Sequence, residues 1–330
     1  MLNKIYVKIK TFLKENFIYI IFLILITCIL NINLPYYINA PGKLINVQNK
    51  VKIENAYPKE GTFNMTYVME YDAKIITMLI ARFNRNWKIE KKSDIITSNE
   101  DEKTINVRNH ILMDEGNQNA IIYAYNLAHK EIIINNSKIH VTYIDEMAET
   151  NLKVGDVINK VNGKIVHSKE EIKTIINEND DLLKIETNNG TKTAKIKKID
   201  DTNKIFVMLS TISEIKTNPK VEFKFKNNES GSSGGLMTTL YIYNSLIKED
   251  LTKGKKIAGT GTIDINGNVG EIGGVTFKLI GAVKEKADIF FVPKENYEEA
   301  INLKTKNNYK IDIVKVETFK DSLNYLQSFN

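Results

Sequence analysis

Residues 231–235 read Gly-Ser-Ser-Gly-Gly and run straight into an amphipathic stretch, 236–247. Downstream, residues 272–282 read Ile-Gly-Gly-Val-Thr-Phe-Lys-Leu-Ile-Gly-Ala, which sets Lys278 among small and apolar neighbours. A serine on a glycine-rich turn at a helix start, and one lysine on an apolar helix face, are the parts of a Ser-Lys dyad. The hydroxyl is the nucleophile and a neutral amine is its base. This chemistry needs no histidine. The four histidines, His110, His129, His140 and His167, all lie upstream of both motifs. None pairs with a second histidine or with the single cysteine at metal-ligand spacing, so the expectation is no metal and no cofactor. A histidine-assisted serine remains the alternative arrangement.

By chemistry alone Ser230, Ser232 and Ser233 are all candidate nucleophiles. Glycines around them let the backbone approach a substrate and adopt positive φ. A helix starting at Gly234 or Gly235 would aim free N–H groups at the turn, where they can hold the oxyanion of a tetrahedral intermediate. The competing readings are a flexible serine-glycine loop and an anion-binding loop. No Lys-Ser or Lys-Thr follows the turn, which excludes a phosphate-binding P-loop.

An ordinary lysine, with a pKa of about 10.4, is neutral in only about one molecule in a thousand near pH 7.4. A dyad lysine therefore needs dry surroundings, which lower its pKa by up to ~3–5 units. Helical spacing gives Lys278 the neighbours Val275, Gly281 and Ala282, small enough for another element to pack over the amine. The alternative is that Lys278 reaches out to water, as most helical lysines do. Residues 213–216 match Ser-x-x-Lys, but no Lys-Thr-Gly or Ser-Asp-Asn box accompanies them, so that match is read as chance.

Alternating and helical spacings predict the elements that must hold these groups. In the last third, strands at 205–209, 221–225, 257–263, 288–292 and 310–316 alternate with helices after the serine turn, around Lys278, at 294–301 and from Thr318. Before them lies a compact block. It has strands at 138–144, 152–161, 183–187 and 193–199, a turn at Asn162-Gly163, and a helix to Ile176 opened by the Ser168/Glu171 capping box. Further upstream, a strand at 63–71 leads to a helix over 72–87 with Ile75, Ile76, Leu79 and Ile80 as its apolar stripe. A charged loop follows at 88–103, then a helix at 118–129.

The 330 residues suffice for two or three domains. The net charge of +6 is modest and the basic residues are interleaved with acids, which excludes a nucleic-acid groove. Residues 17–37 are apolar at first, then diluted by Asn31 and Asn33, and closed by Pro35-Tyr36-Tyr37. A bilayer core needs about 20 helical residues, which this stretch just reaches. Lys4, Lys8, Lys10 and Lys14 precede it and place the N-terminus in the cytoplasm, with everything after Tyr37 outside. A cleaved signal peptide ending at Ile38-Asn39-Ala40 is the alternative. The sole cysteine, Cys28, lies inside the apolar stretch, so no internal disulfide is expected.

Residues 231–237, Gly-Ser-Ser-Gly-Gly-Leu-Met, are similar to the G-P-S-A-G-[IL] serine motif of the Lon proteolytic domain. Thr260-Gly261-Thr262, then Gly270-Glu271-Ile272-Gly273-Gly274 and Lys278, resemble that family's T-G … G-G-x-x-x-K segment in the same order. Residues 152–158, L-K-V-G-D-V-I, with V-N-G-K behind them, resemble a PDZ domain of the type attached to exported proteases. With the apolar N-terminus, the chain resembles the PDZ-containing, membrane-anchored Lon-like serine proteases of Gram-positive bacteria.

The resemblance implies an α+β multidomain protein. It would have a cytoplasmic 1–16, a transmembrane helix at 17–37 and an N-terminal extracytoplasmic segment at 38–107. A PDZ-like, partly open β-barrel with helices would occupy 108–200, and a Lon-type α/β proteolytic domain 201–330. It makes Ser233 the nucleophile, Lys278 the base, Thr260 a supporting hydroxyl, and the backbone around Gly231 and Gly234 the oxyanion donors. A PDZ groove between strand 138–144 and helix 168–176, with Ile139, Val141, Ile172 and Ile175 as its lining, would bind a peptide as an added strand.

The implied activity is an ATP-independent serine endopeptidase at the cell membrane, single-pass, cutting secreted peptides or small extended membrane proteins. A homo-oligomer is compatible with the family. Ser232 stands where the motif has proline and Gly234 where it has alanine, and both changes loosen the turn. These departures keep a second reading open, a non-catalytic PDZ adaptor on an inactive protease fold.

Overall fold

The computed structural model describes residues 2–95 and 100–328. The chain divides into two compact units, Met1–Pro41 with Val68–Ile95, and Gly42–Tyr67 with Ile96–Asn330.

In the first unit, helices Leu2–Glu15 and Phe17–Leu30 meet at a bend of 72°. The second helix is apolar throughout and has no buried residue. It stops at Leu30, where Asn31 turns its N–H back to the carbonyls of Thr27, Cys28 and Ile29. The transmembrane helix expected over 17–37 is thus shorter than anticipated. Among the described residues no single helix is long and apolar enough to cross a membrane. Pro35 cannot continue a helix. Tyr36 and Tyr37, expected at a bilayer interface, instead lie in a strand and pair with Lys91 and Glu90. Helix Ile75–Phe83 completes the unit. A small core of Ile38, Ala73 and Ala81, with Met78 and Trp87 packed against it, holds the unit together. Of the charged loop expected at 88–103, residues 88–91 form a strand, and residues 96–99 lie outside the described residues.

The second unit is built around two main sheets. The first is an antiparallel sheet in the order Val207–Asn218, Glu131–Ile144, Val157–Val161, Leu182–Thr187, Gly190–Lys195. Asn162 and Gly163 both adopt positive φ, the backbone that a tight two-residue hairpin needs. Helix Lys169–Asn177 opens as its capping residues dictate, with Ser168 Oγ accepting from the Glu171 N–H.

Ile139, Val141, Ile172 and Ile175 are buried together in one core. Residues 138–144 pair with 207–212 along one edge, and Ile139 and His140 pair with Ile158 and Val157 on the other. The chain's own strand Val207–Asn218 takes the place where a peptide would add, so these four side chains are packing and not a lining.

The second sheet is parallel, with one buried cluster around Phe63, Leu236 and Phe291 and another around Ala258, Leu279 and Phe290. Strand Lys256–Gly259 pairs with Ile289–Pro293 on one side and with Thr62–Met65 on the other, and Ile289–Pro293 pairs with Asp312–Val316. Strand Ile289–Pro293 is wholly buried, as a central parallel strand covered on both faces must be. Helices Gly235–Leu246, Val275–Lys284, Lys294–Asn307 and Phe319–Gln327 follow in the chain. A 26-residue helix, Glu102–Leu127, packs against Gly235–Leu246 through Ala120, Ala124 and Tyr125. It is one continuous helix across the expected boundary between 107 and 108. Residues 62–65, expected in a separate segment, are part of the C-terminal sheet.

Candidate active site

Lys278 sits on the second turn of helix Val275–Lys284, whose N-cap, Gly274, has φ +70°. The helix can enter the interior because its neighbouring face is bare. A Cβ built on Gly281, three residues on, would lie 2.7 Å from the Gly42 carbonyl oxygen. Backbone therefore packs where a side chain would otherwise stand. The loop before this helix is pinned by Asn296, which is buried and exchanges two hydrogen bonds with Ile272, at 3.0 and 2.9 Å.

The amine ends in the interior. Lys278 is 4% exposed, and its Nζ donates to Thr260 Oγ1 at 3.2 Å. Burial lowers its pKa from 10.5 to about 8. Among the described residues no carboxylate pairs with it. An ion pair would raise the pKa back and keep the proton on the amine.

Thr260 is fully buried at the end of strand Lys256–Gly259. Its hydroxyl hydrogen goes to the Ser233 carbonyl oxygen at 3.1 Å. The Gly261 N–H donates to the same oxygen at 2.8 Å, and the Leu236 N–H returns to the Gly261 carbonyl at 3.1 Å. Three hydrogen bonds thus staple the serine turn to residues 260 and 261. The Lys278 amine stands two hydrogen-bond lengths from the Ser233 backbone, with Thr260 between. Because Thr260 has spent its only hydrogen on Ser233, it can only accept from Lys278. The amine's lone pair, once free, is left for another donor.

Close contact explains the glycines of the turn. A Cβ on Gly234 would fall 2.6 Å from Met65 Sδ, and one on Gly235 would fall 2.9 Å from Ile263 Cγ2. Gly231 has φ +99°. Its N–H donates to the Asn109 carbonyl at 3.0 Å. That N–H is already committed, so Gly231 is not the oxyanion donor expected of it. The Gly234 N–H makes no hydrogen bond among the described residues and remains at the N-terminus of helix Gly235–Leu246, where the helix dipole favours negative charge. Glu229, the acid beside the motif, is engaged by Lys50 at 2.6 Å.

The structure thus brings Ser233, Thr260, Lys278 and Gly234 together and leaves Ile139, Val141, Ile172 and Ile175 in a different core. It adds residues that spacing does not reveal. Asn109 and Gly116 of the Glu102–Leu127 helix seat the turn: Gly116, if given a Cβ, would touch Ser232 Cβ at an ordinary 3.5 Å. Met65 and Asn296 are likewise silent in the sequence. A glycine in the middle of a long helix, as at Gly116, is the one local hint, since it costs helix stability without an evident return.

Residues 227–327 match the Lon protease (S16) C-terminal proteolytic domain. The match contains Ser233, Thr260 and Lys278. A Lon protease of Campylobacter jejuni is 33% identical over 98 residues, 29% of this chain and 12% of that protein. The Lon protease of Aster yellows witches'-broom phytoplasma is 27% identical over 93 residues, 28% of this chain and 12% of its own. That of Mesomycoplasma hyopneumoniae is 28% identical over 98 residues, 30% of this chain and 11% of its own. The matched stretch therefore covers only 11–12% of the length of each of these curated relatives.

Proposed function

We propose that the chain is a serine endopeptidase working through Ser233 and Lys278. The observation that carries this reading is the buried amine, with no carboxylate partner among the described residues, one threonine away from the serine turn. With a pKa of about 8, roughly a fifth of the amines are neutral at pH 7.4, against about one in a thousand for a solvated lysine. Neutral Lys278 takes the proton from Ser233 Oγ as the oxygen forms a bond to the carbonyl carbon of the scissile peptide. The Gly234 N–H stabilises the oxyanion. As the C–N bond breaks, the ammonium returns the proton to the leaving amine. Water then attacks the acyl carbon as Lys278 takes its proton, and the ammonium returns that proton to Ser233 Oγ as the acyl C–O bond breaks and the acid leaves. Thr260 touches the amine and holds it in place.

The match to the Lon proteolytic domain supports the reaction class. No G-x-x-x-x-G-K-[ST] occurs in the 330 residues, which supports the reading that this chain acts without ATP on peptides or proteins already extended. The membrane-anchored, extracytoplasmic setting rests on the exposed apolar helix Phe17–Leu30. A second exposed apolar face, Ile76, Leu79, Ile80 and Phe83, supports it. The Ile75 N–H at the start of that second helix donates to the Ile32 carbonyl, just beyond the end of the first. In the middle sheet, read as PDZ-like from its sequence, the expected strand is paired within the chain along both edges, which weighs against the adaptor reading.

A serine-reactive fluorophosphonate tests the proposal on the full chain in detergent. Wild type labels at a rate that rises with pH through about 8. Ser233→Ala does not label, and Lys278→Met labels at least 1,000-fold more slowly, on the order of the loss seen when a dyad or triad member is removed. Labelling of Ser233→Ala at the wild-type rate moves the nucleophile to Ser230 or Ser232.

A further inference from the structure

Helix Ile75–Phe83 carries an apolar face that is exposed among the described residues. We propose that this helix lies in the plane of a lipid bilayer, in the headgroup layer at the far end of helix Phe17–Leu30, as a second membrane contact. The proposal rests on the membrane-anchored reading and deepens it.

The helix has two apolar sides. Met78 and Ala81 face the small core of Ile38 and Ala73. Ile76, Leu79, Ile80 and Phe83, at i, i+3, i+4 and i+7, share the opposite side. All four are exposed, and Phe83 is 88% so. A helix at the surface of a globular domain turns its polar residues outward. Here the outward side is apolar, which marks a contact surface rather than ordinary solvated surface.

Two observations name lipid as the occupant. The first is length. Helix Phe17–Leu30 is apolar throughout and has no buried residue, but its 14 residues reach only about 21 Å. The hydrocarbon core is ~30 Å thick, so the helix needs further apolar surface at one end. Helix Ile75–Phe83 is placed to supply it. Its first N–H donates to the Ile32 carbonyl at 3.3 Å, and Lys74 Nζ donates to Asn31 Oδ1 at 3.1 Å. The two helices are in contact, and Ile29 and Ile32 at their junction are exposed as well. The apolar surface of one helix thus continues onto the flank of the next.

The second observation is charge. Between Asp72 and Glu90 the sequence has no acid and four bases, Lys74, Arg82, Arg85 and Lys88. Arg82 and Arg85 are exposed, and among the described residues neither pairs with a carboxylate. Arginines flanking an apolar helix face fit the phosphates of lipid headgroups, while the apolar side chains fit the first part of the acyl chains.

Position-specific quenching tests this on the full chain, reconstituted in vesicles of phosphatidylcholine and phosphatidylglycerol in equal parts. Trp87 is the sole tryptophan. In a Trp87→Phe background, Phe83→Trp and Phe22→Trp each provide one reporter, and circular dichroism checks that both fold. Lipids brominated near the headgroup quench the indole at 83 about twofold or more, and lipids brominated near the end of the acyl chain quench it less, because an in-plane helix sinks only ~5–10 Å. The indole at 22, inside helix Phe17–Leu30, is quenched by the deep bromines. Leu79→Glu with Ile80→Glu, both at exposed positions, removes about half or more of the quenching at 83 and leaves that at 22 unchanged. Quenching at 22 without quenching at 83 overturns the in-plane helix and leaves the anchor standing. Quenching at 83 that the glutamates do not reduce also overturns it, since the tether alone then keeps the helix near lipid. A blue-shifted, unquenched indole at 83 means that protein covers the face, a partner or a second copy, and the lipid contact falls. No quenching at either position removes the membrane reading, and this proposal with it. Should Trp87→Phe unfold, a nitroxide on Phe83→Cys in a Cys28→Ser chain decides: the proposal requires it to be more accessible to dissolved oxygen than to a water-soluble nickel chelate, and the reverse order overturns it.

Discussion

The middle sheet and the serine–lysine site each present residues that sequence nominates for binding, and the fold treats them in opposite ways. Ile139, Val141, Ile172 and Ile175 have the spacing of a groove lining, and they are ordinary core. Lys278 also sits in a core, among Val275, Leu279 and Ala282. Burying four aliphatic side chains stabilises the fold, so nothing about them requires a ligand. Burying an amine without an acid costs stability, so its retention calls for a use. The lesson is that a buried group that costs free energy carries more functional information than a buried group that supplies it.

Substitutions can break this contrast. Ile172→Ala removes bulk from the middle core and destabilises the protein by about 2–5 kcal/mol, the range for large-to-small changes at buried sites. Labelling of the folded fraction at Ser233 stays at the wild-type rate. The pairing is checked by urea denaturation beside probe kinetics. A selective loss of labelling, with stability intact, would restore a ligand-binding role to the helix.

The mirror-image change is Lys278→Met. Activity disappears while stability rises. The folded pKa of about 8 lies below the unfolded 10.5, so between these values the unfolded chain holds a proton that the folded chain has shed. Wild-type stability therefore climbs with pH across that window. Below pH 8 both states are protonated and the burial cost is complete. There Met should gain about 3 kcal/mol, from 1.36 kcal/mol per pKa unit. The gain fades above pH 10.5, where both states are neutral. Denaturation of both proteins at pH 7 and pH 10.5 measures it. A constant difference across pH would mean that the amine is solvated.

Much of the site is legible in the sequence because its parts are local. The serine turn is five consecutive residues, and the lysine's freedom to enter the interior is written in Gly281 and Ala282, on the same helix. Thr260 comes from the resemblance, and its role as a spacer between amine and turn has no local mark. Asn109, Gly116 and Met65 reach the turn from more than a hundred residues upstream, through packing that no periodicity encodes. The same holds for residues 62–65 beside strand Lys256–Gly259, a pairing across nearly 200 residues. At the N-terminus the end of the apolar helix is also marked locally: Asn31, Asn33 and Pro35 follow Leu30, where the helix stops short of residue 37.

The smallest effect concerns the turn itself. Gly231 has φ +99°, and a Cβ built there meets nothing within 4 Å. Space is therefore no obstacle, and the whole cost of Gly231→Ala is backbone strain, about 1 kcal/mol or slightly more. That cost has two ways to appear. If the hydrogen bond from residue 231 to the Asn109 carbonyl holds, stability falls by that amount and the labelling rate is unchanged. If the backbone relaxes instead, the bond is lost, the turn shifts on its helix, and labelling slows several-fold with little change in stability. At Gly234 the outcome is different in kind, since Met65 Sδ would stand 2.6 Å from the new methyl group, and alanine there must displace a packed side chain. Gly231→Ala, measured for both stability and rate, thus separates a turn held by its hydrogen bond to the long helix from one held by its own backbone, and an alanine variant unchanged in both would show that neither sets the position of Ser233.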